Sequence, residues 1–301
     1  MAAKVSPKSS KKAPATSGAT SSRAKGSKRK VAVAALVEPP PKPLTLEERW
    51  ASLEERLLKA DPEFQRAYQE NLDMSWIYHD SAIEGSVYTP IELRSAVDPT
   101  APLVPGTDSS IQPICEEIRR HREALEFIRD FAAQSHKKRI PVTVDVVKKI
   151  YLILHPEEGD IKTVKYRKDI PQHRLYFHEY APPDKITYKV RQILDWTNDP
   201  ETRRTRSPVR IAARAHYDLL RVFPFATDSG KVARLFMNLL LLKHGLPPAI
   251  VHSTERQRYY EALKGSSATM NQIVHESIEN NVASVEKLLD AHDSRGYAVK
   301  V

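Results

Sequence analysis

A succession of helix starts runs through residues 44–301 and leaves little room for any fold but a helical one. Thr45 with Glu48 has the form of a capping box ahead of Trp50, Leu53, Leu57 and Leu58. Asp61-Pro62 places a cap before a proline at the first helical position and opens a helix towards Tyr78. Thr89-Pro90 with Glu92 repeats that signature. Residues 96–111, with Pro99, Pro102, Pro105 and Gly106, read as a loop. Ile114, Ile118, Leu125 and Ile128 then recur at helical spacing, and a further helix starts at Thr143. Asp184 is expected to cap a helix through Val190, Ile193, Leu194 and Trp196, and Ser207-Pro208 opens another through Ile211, Ala215, Leu219 and Val222. A loop at 223–229 leads to a helix from Gly230 to about His244, stopped by Gly245. The last helices are expected near 254–264 and 270–292.

One segment breaks the pattern. Tyr166, Leu175, Tyr176, Phe177 and Tyr180 surround Pro171, which suggests a short edge hairpin within 163–180. The expected class is all-α with one small hairpin.

Charge divides the chain. Residues 1–43 carry ten Lys/Arg and one acid, Glu38, so the net charge of +9 belongs to that segment. Residues 44–301 balance at 37 basic and 37 acidic residues, which gives no support to a nucleic-acid-binding body. The basic segment is rich in Ala, Ser, Lys and Pro and lacks aromatic residues, so it is expected to be disordered. It reads as a solubilising tail, or as a polyanion-binding arm through Lys28-Arg29-Lys30; a transit peptide fits less well because Lys outnumbers Arg. No run of about 18 apolar residues argues for a membrane span, and no secretory signal is expected. A single cysteine, Cys115, permits neither an internal disulfide nor a Cys-rich zinc site, and a cytoplasmic location is expected.

The chemistry concentrates in Phe223-Pro224-Phe225-Ala226-Thr227-Asp228-Ser229-Gly230-Lys231-Val232-Ala233-Arg234. Its second half opens a helix, whose unpaired N–H groups and positive dipole end favour anions. Lys231 and Arg234, three apart, lie near that end, and Ser229-Gly230 lets a ligand approach the backbone. The residues alone suggest a weak phosphate site, or merely a helix start that happens to be small and basic.

The segment resembles the Fic (Fido) family of nucleotidyl transferases. The likeness is carried by Ala212-Ala213 to His216-Tyr217 before the loop and by Ala233-Arg234-Leu235 to Asn238 after it. Gly245-Leu246-Pro247-Pro248, Arg256 to Leu263, Tyr166-Arg167, Tyr180 with Pro182-Pro183, and Trp196-Thr197-Asn198 extend it over roughly residues 70–265. The resemblance implies a basic tail at 1–43, an N-terminal helical region at 44–111, a Fic-like core at 112–265 and a C-terminal helix at 266–301. It implies ATP or another nucleotide as ligand, with AMP transfer to protein hydroxyls as the family reaction.

Carried over residue by residue, the family motif is degenerate. Phe223 stands at the catalytic His, and Thr227 at the metal-binding acid, which disfavours Mg²⁺. Asp228 replaces the first Gly, Ser229 the Asn, and Lys231 the first Arg, while Gly230 and Arg234 remain. A phenyl ring cannot accept a proton, and loss of a general base typically costs about 10²–10⁴ in rate. Asp228 as a shifted metal ligand and His216 as a substitute base are conceivable rescues, though the resemblance places His216 in the scaffold.

Upstream, Asp80-Ser81-Ala82-Ile83-Glu84-Gly85 resembles the family's inhibitory segment and implies a Glu84–Arg234 ion pair. The plainer alternative is that Glu84 caps the helix after Thr89 or faces solvent. Arg174–Tyr180 would be the family's flap, which receives a target peptide by strand addition, or else an ordinary hairpin. Three readings follow. The chain is a Fic-fold protein that has lost transfer and acts by binding a protein partner, with or without a nucleotide. It is an active transferase with rearranged residues. Or its tail binds DNA or another polyanion. The first is preferred; oligomerisation is compatible with each.

Overall fold

The computed structural model describes residues 43–97, 111–138, 140–171 and 179–298, and Leu44–Ala298 within that set belong to one compact unit. The expected disorder of the tail therefore lies outside the described residues, as do 98–110 of the expected 96–111 loop. Ala96 and Val97 instead end a helix, and Ile111 begins the next.

Eleven α-helices order the described residues: α1 Leu46–Lys59, α2 Pro62–Glu84, α3 Pro90–Val97, α4 Ile111–Lys138, α5 Val144–Leu154, α6 Ile186–Asn198, α7 Pro200–Thr205, α8 Pro208–Val222, α9 Ser229–Lys243, α10 Arg256–Lys264 and α11 Ser267–Ala298. The capping signatures at Thr45, Asp61 and Ser207 form as read: the Thr45 hydroxyl accepts from Glu48 N–H, and the Glu48 carboxylate accepts from Thr45 N–H at 2.8 Å. Thr89 and Glu92 make the same reciprocal bonds, so Glu92 and not Glu84 caps that start. Thr143 occupies its cap position without a side-chain bond.

Three expectations change. Asp184 lies in a 3-10 turn, Pro183–Lys185, and α6 starts after it without a side-chain cap. Asp199-Pro200, a cap signature not read from the sequence, opens the short α7, with Asp199 accepting from Thr202 N–H at 2.7 Å. The final helix is longer than 270–292 at both ends. The expected hairpin is not seen among the described residues: 163–171 and 179–180 carry turns and irregular backbone, and 172–178 lie outside the described set. No helix among the described residues is long and apolar enough to cross a membrane.

The core is built around α9. Its sequence Val-Ala-Arg-Leu-Phe-Met-Asn-Leu-Leu-Leu is apolar on nearly every side, and residues 229–241 are all buried. A helix apolar all round must be surrounded. α9 packs against α4, α5 and α8, and α8 in turn packs against α6 and α11. Full burial of Leu235, Phe236 and Leu239 contributes about 1.5–3 kcal/mol each. α8 is amphipathic, turning Ile211, Ala212, Ala215, Leu219 and Leu220 inward. α1 lies along α11, where Arg49 meets Glu279 and Arg56 meets Asp290 and Asp293.

α2 reaches the centre through its C-terminal end. Gly85 closes it with φ +104, a left-handed value that a residue with Cβ rarely adopts, and Ser86 N–H bonds Ser81 O at 3.1 Å. Two residues of α10 hold this end: Arg256 Nε donates to Ile83 O at 2.7 Å, and the Tyr260 hydroxyl donates to the same carbonyl. The carboxylates of Asp80 and Glu84 are thereby set against α9.

Candidate functional site

The loop between α8 and α9 begins at Phe223, whose backbone is left-handed, φ 48, and whose N–H donates to Leu219 O at 2.9 Å. Its ring is buried, 3% exposed, with Tyr180 tilted against it at 4.9 Å between centroids. Phe225 is fully buried and stacked on Tyr151 at 4.0 Å.

Arg167 fixes the loop's backbone. Its guanidinium donates to Phe223 O at 2.6 Å, Val222 O at 3.0 Å, Asp169 O at 2.8 Å, and Ala181 O. Its own N–H donates to Pro224 O at 2.9 Å, and Ala181 N–H donates to Arg221 O at 3.0 Å. Ser229 closes the other side: its hydroxyl accepts from Phe225 N–H at 2.8 Å and donates to Phe225 O at 2.9 Å. Ser229, expected among the phosphate-binding residues, therefore spends its hydroxyl on the loop itself.

The charged residues at the helix start pair among themselves. Lys231 Nζ lies 2.9 Å from Glu117 Oε1 and 3.3 Å from Asp228 Oδ1. Asp228, left-handed at φ 47, turns its other oxygen to His155 Nε2 at 2.8 Å. The second ring nitrogen of His155 meets Glu157 Oε1 at 2.9 Å. Thr227 Oγ1 lies 3.4 Å from both the Tyr151 hydroxyl and His155 Nε2.

The pKa directions follow from these contacts. Burial opposes charge on Asp228, but the His155 hydrogen bond and Lys231 outweigh it and hold the carboxyl at about 2. Burial likewise opposes charge on Lys231, yet Asp228 and Glu117 raise it above an ordinary lysine. The hydrogen bond to Asp228 raises His155 above its usual 6.5, more than burial lowers it. With a carboxylate against each ring nitrogen, His155 turns neither nitrogen to an incoming hydroxyl.

Arg234, 3% exposed, is held by α2. Its Nη2 donates to Glu84 Oε1 at 2.7 Å and to Asp80 O at 3.2 Å, and its Nε donates to Asp80 Oδ1. The expected Glu84–Arg234 pair is present, and Asp80 adds a second carboxylate to the same guanidinium. Burial would raise Asp80, but Arg234 and His121, whose Nε2 is 3.2 Å away, keep it below the usual carboxylate range. His216 is a scaffold residue: it is fully buried, 3.0 Å from the Tyr259 hydroxyl, and burial lowers it to about 3.

Among the described residues, no group of three His, Cys, Asp or Glu side chains is placed to hold a metal ion, and Asp228 faces His155 and Lys231 instead. Cys115 is buried and unpaired with another cysteine. The sequence reading missed Glu117, His155 and Glu157, and missed that Asp80 also pairs with Arg234. His155 stands directly before Pro156-Glu157-Glu158, a local signal that was readable, whereas Glu117 lies 114 residues from Lys231 and had none.

Residues 141–241 match the family model described as the Fic/DOC family. The chain is 28% identical over 226 residues to "Protein adenylyltransferase Fic" of Nematostella vectensis, covering 72% of this chain and 48% of that protein. It is 25% identical over 225 residues to "Protein adenylyltransferase fic-1" of Caenorhabditis elegans, covering 72% of this chain and 41% of that protein. The chain thus spans about half or less of the length of these curated relatives. In structure it resembles a Fic domain containing signaling protein from Bacteroides thetaiotaomicron, with TM-score 0.68, 19% identity, and coverage of 83% of this chain and 98% of that one. It also resembles Fic-1 from C. elegans, with TM-score 0.60, 22% identity, and coverage of 79% and 70%. These two likenesses are likenesses of fold.

Proposed function

The chain belongs to the Fic/DOC family, and from that premise we propose that it has lost nucleotidyl transfer and acts by binding a protein partner. The observation that carries the reading is at position 223. A buried phenyl ring stands there, and the two histidines nearest the loop do not replace the missing base. His155 has a carboxylate on each ring nitrogen, and His216 is sequestered with Tyr259.

The charges support the same reading. A nucleotide triphosphate needs cations that are available to it. Here Lys231 faces Glu117 and Asp228, and Arg234 faces Asp80 and Glu84. An entering phosphate would compete with those acids and meet the Asp228 carboxylate at the helix start. The residues present fit a triphosphate poorly, and no transfer step is derived through one. A cavity of about 460 Å³ beside Tyr180, Pro182, Lys189 and Trp196 supplies a place for a protein partner. It adjoins the segment 174–180 that the family resemblance assigns to target docking, of which only Glu179 and Tyr180 are described.

The test is incubation of the full chain with α-phosphate-labelled ATP or GTP, Mg²⁺ or Mn²⁺ and cell lysate. No labelled protein is expected. Labelling that disappears in Arg234→Ala overturns the reading.

A second reading, an active and regulated transferase, is favoured by one observation, the intact Glu84–Arg234 pair. Under it, Glu84→Gly would release labelling.

A further inference from the structure

We propose that a groove between the face of α8 that carries Arg210, Arg214 and Asp218 and the first turn of α11, bounded by Trp196, is a binding site for a phosphorylated peptide. The groove has a volume of about 480 Å³, and Arg206, Arg210 and Arg214 line it with Trp196, Asp218 and Asn271. Three arginines against one aspartate make it cationic, although residues 44–301 as a whole carry no net charge.

Two of those arginines have no internal use. Arg214 is committed to Asp218 at 2.6 Å and to Ser267 Oγ at 3.5 Å. The side chains of Arg206 and Arg210 make no hydrogen bond or ion pair among the described residues, and both are exposed. This contrasts with Lys231 and Arg234 at the degenerate site, each of which faces two acids. Unpaired guanidinium groups side by side form bidentate bonds to phosphate more readily than to any neutral group.

Along the groove, Arg206 precedes α8, Arg210, Arg214 and Asp218 follow at successive turns of it, and Ser267 and Ala268 of the first turn of α11 line the opposite wall.

Shape and charge select the ligand class. A long polyanion such as RNA gains affinity from many phosphate contacts spread over a basic surface. Here the cationic stretch is short, ends on Asp218, and belongs to an electrically balanced body. A single phosphate monoester on a peptide matches the two unpaired arginines, Arg206 and Arg210, and Trp196 offers an apolar face to a neighbouring side chain. The groove shares Trp196, Arg214 and Asp218 with the cavity beside Tyr180 and Pro182, so one partner can occupy both. The proposal does not depend on whether transfer has been lost.

The test uses the full chain and a fluorescein-tagged peptide carrying one phosphoserine among glutamates, its serine twin, and a single-stranded oligonucleotide. The expected result by anisotropy is binding at least about tenfold tighter for the phosphorylated form, a preference that the double variant Arg206→Gln, Arg210→Gln abolishes. Oligonucleotide affinity should not change in that variant. Because both side chains are exposed and unpartnered, an unchanged melting temperature is expected. Phosphopeptide affinity that survives the double substitution overturns the proposal. So does an oligonucleotide affinity that falls with it while the two peptides bind alike.

Discussion

Glu84 Oε1 lies 2.7 Å from Nη2 of Arg234, and Asp80, one helical turn earlier on α2, bonds Nε of the same guanidinium. The two acids differ in burial: the Asp80 side chain is 4% exposed and that of Glu84 is 17%. Removing Asp80 should therefore hurt more. Asp80→Ala takes the better-buried partner from an arginine inside the protein, a change that costs about 3–5 kcal/mol. Glu84→Ala should cost about 1.5–3 kcal/mol. Denaturant unfolding of the two variants checks the order, and a larger loss for Glu84→Ala would contradict it.

Under the proposed loss of transfer, Glu84→Gly produces no labelled protein. The variant removes one of the two carboxylates on Arg234 but restores neither a base at position 223 nor a carboxylate at 227. Calorimetry of the full chain with ATP and Mg²⁺ should give a Kd no tighter than about 1 mM.

His155 gives the site a pH dependence with a definite sign. Its pKa is raised in the folded protein, so its pairing stabilises fully below the ordinary value of 6.5 and fades as pH rises through the raised value. Asp228 behaves oppositely: its contribution is present above the ordinary 3.8 and is lost as pH falls towards about 2. The two describe one contact. The difference in Tm between the wild type and His155→Gln should be largest near about pH 6 and shrink by about pH 9. A constant difference would mean that the imidazole is neutral throughout.

Ser229→Ala should loosen the loop without touching a charge. The hydroxyl satisfies both the N–H and the carbonyl of Phe225, and both backbone groups are buried. Leaving such groups unpaired costs about 1–3 kcal/mol each, although water entry offsets part of it. A fall in Tm of several degrees is expected, at about 2–4 °C per kcal/mol for a unit of this size. Near-UV circular dichroism would show whether the stacked Phe225–Tyr151 pair is retained.

Phe223→His alone should not create a transferase. The position is enclosed by Tyr180, and an imidazole there loses apolar contact, at a cost of about 1–3 kcal/mol. Labelling should stay absent and Tm should fall. Labelling by this single variant would show that the rest of the machinery is in working order.

Local chemistry made the fold readable. The caps at Thr45, Asp61, Thr89 and Ser207 are contacts within a few residues, and each appears where its pattern predicts. Asp199-Pro200 carries the same signal, and only the shortness of α7 hid it. Of the site, the Glu84–Arg234 pair implied by the resemblance is present. What the sequence hid is the identity of the distant counter-charges. Asp80 is 154 residues from Arg234 and Glu117 is 114 from Lys231, and no spacing rule links such pairs. Ser229 looked like a ligand-binding hydroxyl because its bond to Phe225 depends on a loop shape that propensity does not fix.

That shape is held in an unusual currency. Four carbonyl oxygens receive the guanidinium of Arg167, and every amino acid possesses a carbonyl. The path of the chain at 222 and 223 is thus held without reference to the side chains there. A stretch secured this way can change the side chain at position 223 while its path through space endures. The chemistry can erode and the architecture need not notice.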